Sequence, residues 1–467
     1  MAIEDQGANE AVRVYADGVI AKRYPEADRE DRDTGSTQVA TLGVPGRSYQ
    51  LDTFRLLLDR QRAPQDGRAQ LHIVDADGGL FVLVFDEILV RTTDYQREQP
   101  QPFHQVTIRQ LLAGVELASA ELALDGRVTR LRFVNLSITE LQDLARELRR
   151  AGYQASMNHV TPLGPVLKSN GGPGTSARTV PFPPPWAPQG THEIIVAVID
   201  TGVTAEERAD EWLVTIPRPD AEHPNLDNID PLDVFPFGNP DQFLDLGAGH
   251  GTFVAGVIQQ LAPRATIDVY RAINSDGIGS EVAVAEMMLR AVADGATILN
   301  LSLGSETLDD QPPLALEVAL ELIDEQNPDV LVVAAAGNSG TDRATWPAAF
   351  NRVVSVAALD PDLRPADWSN HGWWVTCSAV GQGILSTYVK GDESPILVAP
   401  EAPDHFPDDS WAIWSGTSFA APQICGAVAA ICQQTGLSPR RIMRQLLLKN
   451  PVTIPDYGKA FSLLPGA

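Results

Sequence analysis

The sequence of 467 residues predicts an α/β fold across residues 191–467, with a largely parallel sheet and helices on both faces. In this half of the chain, short apolar runs rich in β-branched residues alternate with longer stretches of helical periodicity, as is typical of parallel sheets. The predicted strands are 194–199, 266–271, 297–303, 330–335 and 352–358, and the predicted helices are 251–261, 281–294, 313–326 and 418–434. A smaller α+β domain is predicted to precede this fold.

The chain divides at a segment rich in Pro and Gly. Residues 164–190 are predicted to be a linker without regular structure, and residues 1–45 are polar enough to predict a disordered or loosely attached tail. Between them, residues 46–163 are predicted to form the N-terminal α+β domain. Its predicted elements are a hairpin of strands 69–75 and 80–85, a strand at 128–134, a helix that begins near Ser137 and a closing strand at 153–160.

The composition limits the classes of partner. The formal net charge is -26 and the isoelectric point is near 4.6, so phosphate backbones and anionic membranes would repel the chain. The acidic start at Met1 does not resemble a signal peptide, and no apolar stretch reaches spanning length. The three cysteines are an odd number and suit a reducing compartment. We therefore expect a cytoplasmic protein that binds neither nucleic acid nor membrane.

Three polar residues lie in motifs that suit nucleophilic catalysis. Ser418 begins a small-residue, apolar helix, Asp200 ends the buried strand 194–199, and His250 lies between glycines at a predicted helix start. A serine hydroxyl needs a neighbouring base, and the base needs a group that orients it. A strand at 330–335 then runs into a Gly-rich turn that presents Asn338, whose amide N–H suits a developing oxyanion.

The segments around Asp200, His250, Asn338 and Ser418 resemble the subtilisin (subtilase) family of serine peptidases over roughly residues 190–450. The resemblance implies that Ser418 is the nucleophile, His250 the general base and acid, Asp200 the residue that orients the imidazole, and Asn338 an oxyanion-hole donor. Phe253 and Gln423 differ from residues that many family members have, but neither belongs to the implied triad.

The resemblance also implies where a peptide substrate binds. The end of the strand 297–303 would pair with an extended peptide through the main chain. The residues implied to border an open, apolar first pocket are Ser302, Leu303, Gly304, Ala335, Ala336 and Gly337. An alternative interpretation is that Leu303 and the alanines only pack the sheet.

The N-terminal domain resembles the family's propeptide, which implies an intramolecular inhibitor or folding chaperone. A substrate-recruiting module and a permanent regulatory domain remain alternatives. The whole protein is expected to be a serine endopeptidase of restricted substrate range that acts through an acyl-enzyme. The alternative is a binding or scaffold protein on a silent protease fold, although no triad residue is missing.

An acidic loop joins Asp200 to His250, and it would either steer basic peptides or form a solvated surface. Relatives often hold structural calcium, but the loop has no ordered ligand spacing, so we assign no metal ligand. We expect that no cofactor is required.

Overall fold

The computed structural model describes residues 55–61, 71–76, 79–100, 104–162, 172–184, 190–218, 227–237, 239–398 and 402–466. The predicted tail 1–45 lies outside these residues, as do positions 164–171 and 185–189 of the predicted linker. The helices are α1 (55–61), α2 (Thr92–Tyr95), α3 (Ile108–Leu111), α4 (Ile138–Arg150), α5 (His250–Leu261), α6 (Glu281–Ala293), α7 (Leu314–Gln326), α8 (Thr417–Thr435) and α9 (Pro439–Lys449), with a 3₁₀ turn at Leu308–Asp310.

Nineteen strands form four sheets within the described residues. The strands are β1 (Leu71–Ala76), β2 (Gly79–Arg91), β3 (Leu117–Ala123), β4 (Val128–Phe133), β5 (Ala155–Pro162), β6 (Gly174–Ser176), β7 (Ile195–Asp200), β8 (Thr266–Arg271), β9 (Ile278–Ser280), β10 (Ile298–Leu301), β11 (Leu331–Ala335), β12 (Val354–Leu359), β13 (Cys377–Val380), β14 (Ile384–Thr387), β15 (Gly391–Asp392), β16 (His405–Phe406), β17 (Trp411–Trp414), β18 (Thr453–Ile454) and β19 (Gly458–Phe461).

The second half of the chain is built on an eight-stranded sheet in the order β18-β19-β13-β12-β11-β10-β7-β8. All its pairs are parallel except β18 with β19. Alternate residues of β7 point to opposite faces, so Val196 and Val198 join the core beneath α5 and α8, whereas Ala197 and Ile199 join the core beneath α6 and α7. The predicted α/β fold is therefore confirmed.

Residues 71–162 contain an antiparallel sheet in which β2 pairs with β1, β4 and β5. Because β4 and β5 both run antiparallel to β2, they are parallel to each other, and α4 connects them. Ser137 caps α4 by accepting from the Glu140 N–H, while the Glu140 carboxylate accepts from the Ser137 N–H, which is the capping box that the sequence predicts.

The sheet of residues 71–162 continues into the second half of the chain, since β5 pairs antiparallel with β9. This unit also covers the starts of α6 and α7. Ser156 Oγ accepts from the Leu314 N–H at the start of α7, and the Glu281 carboxylate accepts from the backbone N–H groups of His159 and Ala315. The Leu308 side chain is buried in the core of the N-terminal sheet.

The predicted linker is not free of regular structure. Within it, β6 pairs antiparallel with β17, and Val180 O accepts from the indole N–H of Trp212 at 2.9 Å. The Phe182 ring packs edge-on against the Trp212 ring at 5.2 Å between centroids. Residues 172–184 are therefore built into the surface of the second half, because their backbone and aromatic groups find partners there.

Candidate active site

Asp200 is placed by the sheet. It ends β7, which lies between β8 and β10, and it is fully buried. The backbone N–H of Thr201 donates to Asp200 Oδ1 at 2.7 Å. This hydrogen bond partly compensates the loss of water around a buried carboxylate.

His250 is the first residue of α5, and its side chain reaches Asp200. Nδ1 lies 2.8 Å from Asp200 Oδ1 and 2.9 Å from Oδ2, so the carboxylate favours the tautomer in which Nδ1 carries the proton. The Nε2 lone pair is then free to accept a proton. Gly249 has a φ of 77°, and a Cβ at this position would lie 2.8 Å from a methyl group of Val389, so glycine is required there.

Asp230, a second buried carboxylate, holds the backbone just before His250 in position. Asp230 Oδ2 accepts from the Gly249 N–H at 2.9 Å, and Oδ1 accepts from the Leu232 N–H. Burial raises the pKa of Asp230 to about 6, although these hydrogen bonds act in the opposite direction. Part of the acidic loop therefore organises the site from inside and is not a solvated surface.

The His250 ring packs among aromatic side chains next to Ser418. Its centroid lies 5.4 Å from the Trp414 ring and 5.3 Å from the ring of Phe419, the residue after Ser418. Phe253, which differs from many subtilases, packs against the Phe419 ring at 4.5 Å. The imidazole is thus held beside the start of α8 by apolar contacts as well as by Asp200.

Ser418 lies in the first turn of α8, where backbone N–H groups have no helical acceptors. In this structure its hydroxyl donates to Ser302 O at 3.0 Å. In return, Ser302 Oγ donates to Ser418 O at 2.7 Å. Pro422, four residues further on, has no N–H to offer that carbonyl, so the Ser302 hydroxyl takes the place of the missing helical donor.

Asn338 follows β11, and hydrogen bonds with Thr417 fix the orientation of its side-chain amide. Its Oδ1 accepts from both the backbone N–H and the hydroxyl of Thr417, at 2.9 and 2.8 Å. The Thr417 hydroxyl accepts in turn from the Gly337 N–H at 3.0 Å. Because the Asn338 carbonyl oxygen is used in this way, its NH₂ group is left as the hydrogen-bond donor of this side chain, and its role as an oxyanion donor stays a prediction.

The predicted pocket residues differ in what their side chains contact. Leu303, Ala335 and Ala336 are buried within the two cores of the sheet, so a bound peptide would meet their backbone more than their side chains. Gly304 lies so close to Thr345 that a Cβ would be 2.9 Å from its methyl group. The Gly337 N–H is bound by Thr417. That these residues border a substrate pocket stays a prediction.

The three cysteines and Gln423 are buried and contribute to packing. Cys377, Cys425 and Cys432 are buried free thiols, and burial raises the pKa of Cys432 to about 12. Gln423 Nε2 donates to Val380 O and Phe419 O, and its Oε1 accepts from the Leu464 N–H. This glutamine therefore ties α8 to β13 and to the end of the chain.

Within the described part of the chain, no group of three or more His, Cys, Asp or Glu side chains is arranged to hold a metal ion. Structural calcium and the absence of a required cofactor both stay predictions. No helix within the described ranges combines the length and the apolar character needed to cross a bilayer.

Sequence reasoning missed the groups that hold the site residues. The reciprocal hydrogen bonds of Ser302 and Ser418, and the role of Thr417 in orienting Asn338, connect segments far apart in the chain. Only Pro422 carried a signal, because its position predicts an unpaired carbonyl at Ser418 that another donor must satisfy.

Comparison with known proteins identifies the family of this chain. The model of the subtilase family, Peptidase_S8, matches residues 191–459. A thermophilic serine proteinase of Bacillus sp. (strain AK1) is 32% identical over 250 residues, which cover 51% of this chain and 52% of that protein. Subtilisin BL of Lederbergia lenta is 31% identical over 267 residues, covering 55% and 82% respectively. An intracellular serine protease of Paenibacillus polymyxa is 30% identical over 280 residues, covering 56% and 72%.

The chain belongs to the subtilase family of subtilisin-like serine peptidases. It spans only about half the length of the first of these relatives. The resemblance stated from the motifs of Asp200, His250 and Ser418 is thereby confirmed.

Proposed function

We propose that this protein is a serine endopeptidase that cleaves peptide bonds through an acyl-enzyme on Ser418. The observation that carries the proposal is the buried hydrogen bond between His250 Nδ1 and Asp200, which leaves Nε2 as a base beside the start of α8. A carboxylate in this position holds the reactive tautomer and stabilises the imidazolium that forms.

In the proposed reaction, substrate binding turns the Ser418 hydroxyl from Ser302 O toward His250 Nε2. Ser418 Oγ attacks the scissile carbonyl carbon as Nε2 takes the proton, and the imidazolium then delivers that proton to the leaving amine. As the amine leaves with that proton, the C–N bond breaks and the acyl group stays on Ser418. Water then gives a proton to Nε2 and attacks the acyl carbon, the bond from carbon to Ser418 Oγ breaks, and the imidazolium returns the proton to Oγ as the acid product leaves. Two steps of moderate barrier replace one difficult hydrolysis.

The negative charge of the tetrahedral intermediate would be bound by two donors. One is the NH₂ group of Asn338, and the other is the backbone N–H of Ser418 in the first turn of α8. The partial positive charge at the helix start favours an anion at the same place. Ser302, Leu303 and Gly304 are proposed to pair with an extended peptide through their backbone.

Covalent labelling tests this function directly. A fluorophosphonate should phosphonylate the wild-type protein once, and Ser418→Ala should not react, because only an activated hydroxyl attacks the reagent. Intact mass spectrometry reads the adduct. Labelling that survives in Ser418→Ala would overturn the assignment of the nucleophile, and no labelling of either protein, even without the N-terminal region, would favour the scaffold alternative.

We further propose that residues 46–163 act as an intramolecular inhibitor or folding chaperone. The support is that β5 adds as a strand to β9 and that Ser156 and His159 contact the starts of α6 and α7. These contacts bind the N-terminal unit to β9 and to the starts of α6 and α7, and strand addition is also the expected way to bind a substrate.

Self-processing follows from this proposal. Wild-type protein should yield a shorter mature chain that retains Gly174–Ser176, because β6 is paired with β17 in the catalytic half. Ser418→Ala should accumulate at the full-length mass, and intact mass spectrometry distinguishes the two. Identical masses for both proteins would contradict self-processing while leaving peptidase activity itself untouched.

A cytoplasmic location and a restricted substrate range complete the proposal. The buried free thiols suit a reducing compartment, and one relative is named as an intracellular protease. Restricted cleavage follows from the need to protect other cytoplasmic proteins.

A further inference from the structure

The side chain of Arg60, in α1, is buried between two aspartates of the catalytic half. Its Nη2 donates to Asp245 Oδ1 at 2.6 Å, and its Nε donates to Asp276 Oδ2 at 3.2 Å. Nη2 also donates to Phe235 O at 3.0 Å. The Arg60 side chain is 7% exposed, and the side chains of both aspartates are 0% exposed.

Hydrogen bonds from neighbouring groups hold the two aspartate side chains in position beside Arg60. Asp245 accepts from the backbone N–H of Val234 and from the Ser275 hydroxyl, and Asp276 accepts from the Leu246 N–H. Burial, followed by the neighbouring charge of Asp276, raises the pKa of Asp245 to about 7, whereas Arg60 acts to lower it. Two buried carboxylates this close together need a positive partner or a proton.

The contact joins α1 to two separate segments of the catalytic half. Asp245 lies on the loop that leads into His250, and Asp276 lies just before β9. Two further hydrogen bonds support the contact: Arg60 O accepts from the Phe237 N–H at 2.8 Å, and Gln61 Oε1 accepts from Asn274 Nδ2 at 3.1 Å.

We propose that Asp245 and Asp276 form a guanidinium-binding pocket, and that its occupant, Arg60, anchors residues 55–61 to the catalytic half. The planar fork of a guanidinium suits two carboxylates and a carbonyl better than the point charge of an ammonium does. This anchor is separate from the pairing of β5 with β9. Its effect on activation rests on the proposed inhibitory role of the N-terminal region, but the pocket itself does not.

Hydrogen exchange in full-length Ser418→Ala protein tests the anchor without any cleavage. Arg60→Ala should raise amide exchange at Val234, Phe237 and residues 55–61 by at least about tenfold, because a buried charge pair is broken. Arg150→Ala is the matched control, since Arg150 is an exposed arginine of the same N-terminal unit. Equal exchange in the two variants, with melting temperatures unchanged, would overturn the proposal.

Chemical rescue tests whether the pocket recognises a guanidinium. Millimolar ethylguanidinium should restore slow exchange at Val234 in Arg60→Ala, and ethylammonium at the same concentration should restore much less. In Arg60→Ala with Asp276→Asn, the rescue should disappear because one of the two acceptors is no longer a carboxylate. Rescue that is equal for both ions, or that is unaffected by Asp276→Asn, would contradict the proposed guanidinium-binding pocket.

An activity measurement separates this proposal from the inhibitory role of the N-terminal region. In protein that keeps Ser418, Arg60→Ala should shorten the lag before activity appears by several-fold, while Arg150→Ala should not. Faster exchange with an unchanged lag would support the pocket and count against the inhibitory role. A shorter lag without faster exchange would count against the pocket.

Discussion

His250→Ala is expected to lower kcat by about 10⁶-fold, which is the size established for this kind of change in subtilisin itself. The structure gives the reason. The imidazole is the only side chain hydrogen-bonded to buried Asp200 within the described residues, and no other base is shown beside Ser418. The kcat on a chromogenic peptide measures the effect, with the N-terminal region of every protein removed by an added protease, because His250→Ala would not process itself.

Asp200→Ala provides the companion measurement. It should lower kcat by about 10⁴-fold, and the double variant with His250→Ala should be no slower than His250→Ala alone, since an orienting carboxylate is useless without its imidazole. Unchanged melting temperatures control for misfolding. Additive losses in the double variant would show that the two residues act independently and would contradict the proposed triad.

Asn338→Ala is expected to lower kcat by about 10²–10³-fold with little change in KM, the range known for removal of this donor in subtilisin. The amide N–H would bind the oxygen only when it becomes negative, so the loss should fall on the transition state. Initial rates over a range of peptide concentrations separate kcat from KM. Asn351→Ala, at an exposed asparagine, is the matched control.

A second substitution separates the donor from the support of Thr417. Asn338→Asp keeps an oxygen that can accept from the Thr417 hydroxyl and N–H but removes the donated N–H. It should lose at least as much kcat as Asn338→Ala, because it also places a negative charge beside the oxyanion. An Asn338→Asp enzyme close to wild type would show that the amide does not bind the oxyanion.

The fold of the catalytic half was predictable because its strands are buried on both faces and its helices carry clear periodicity. The predicted and observed bounds of α5, α6, α7 and α8 differ by one residue at most at each end. The strand β6 was missed because Pro and Gly around it outweigh three residues of extended chain. Its structure depends on the edge of β17, which local sequence does not reveal.

In the candidate site, too, some residues were predictable from the sequence and others were not. Asp200, His250 and Ser418 stand out because each follows or begins a strongly apolar element with glycines nearby. The residues that support the site do not stand out: Thr417, which orients Asn338, is one hydroxyl in a small-residue helix, and Ser302, which binds Ser418, lies 116 residues from it in the chain. Long-range pairing of this kind arises from packing, and a single sequence contains no periodic signal for it.

The pairing of β6 with β17 affects how the protein can be shortened. A chain trimmed to begin at Thr191, where the family match starts, would lose β6 along with the carbonyl that binds the Trp212 indole and the ring that covers it. The β17 edge would then offer unpaired backbone groups to neighbouring molecules, and such edges promote aggregation. Recombinant forms of the peptidase half should therefore start no later than Gly172, even though the recognisable family sequence begins well after it.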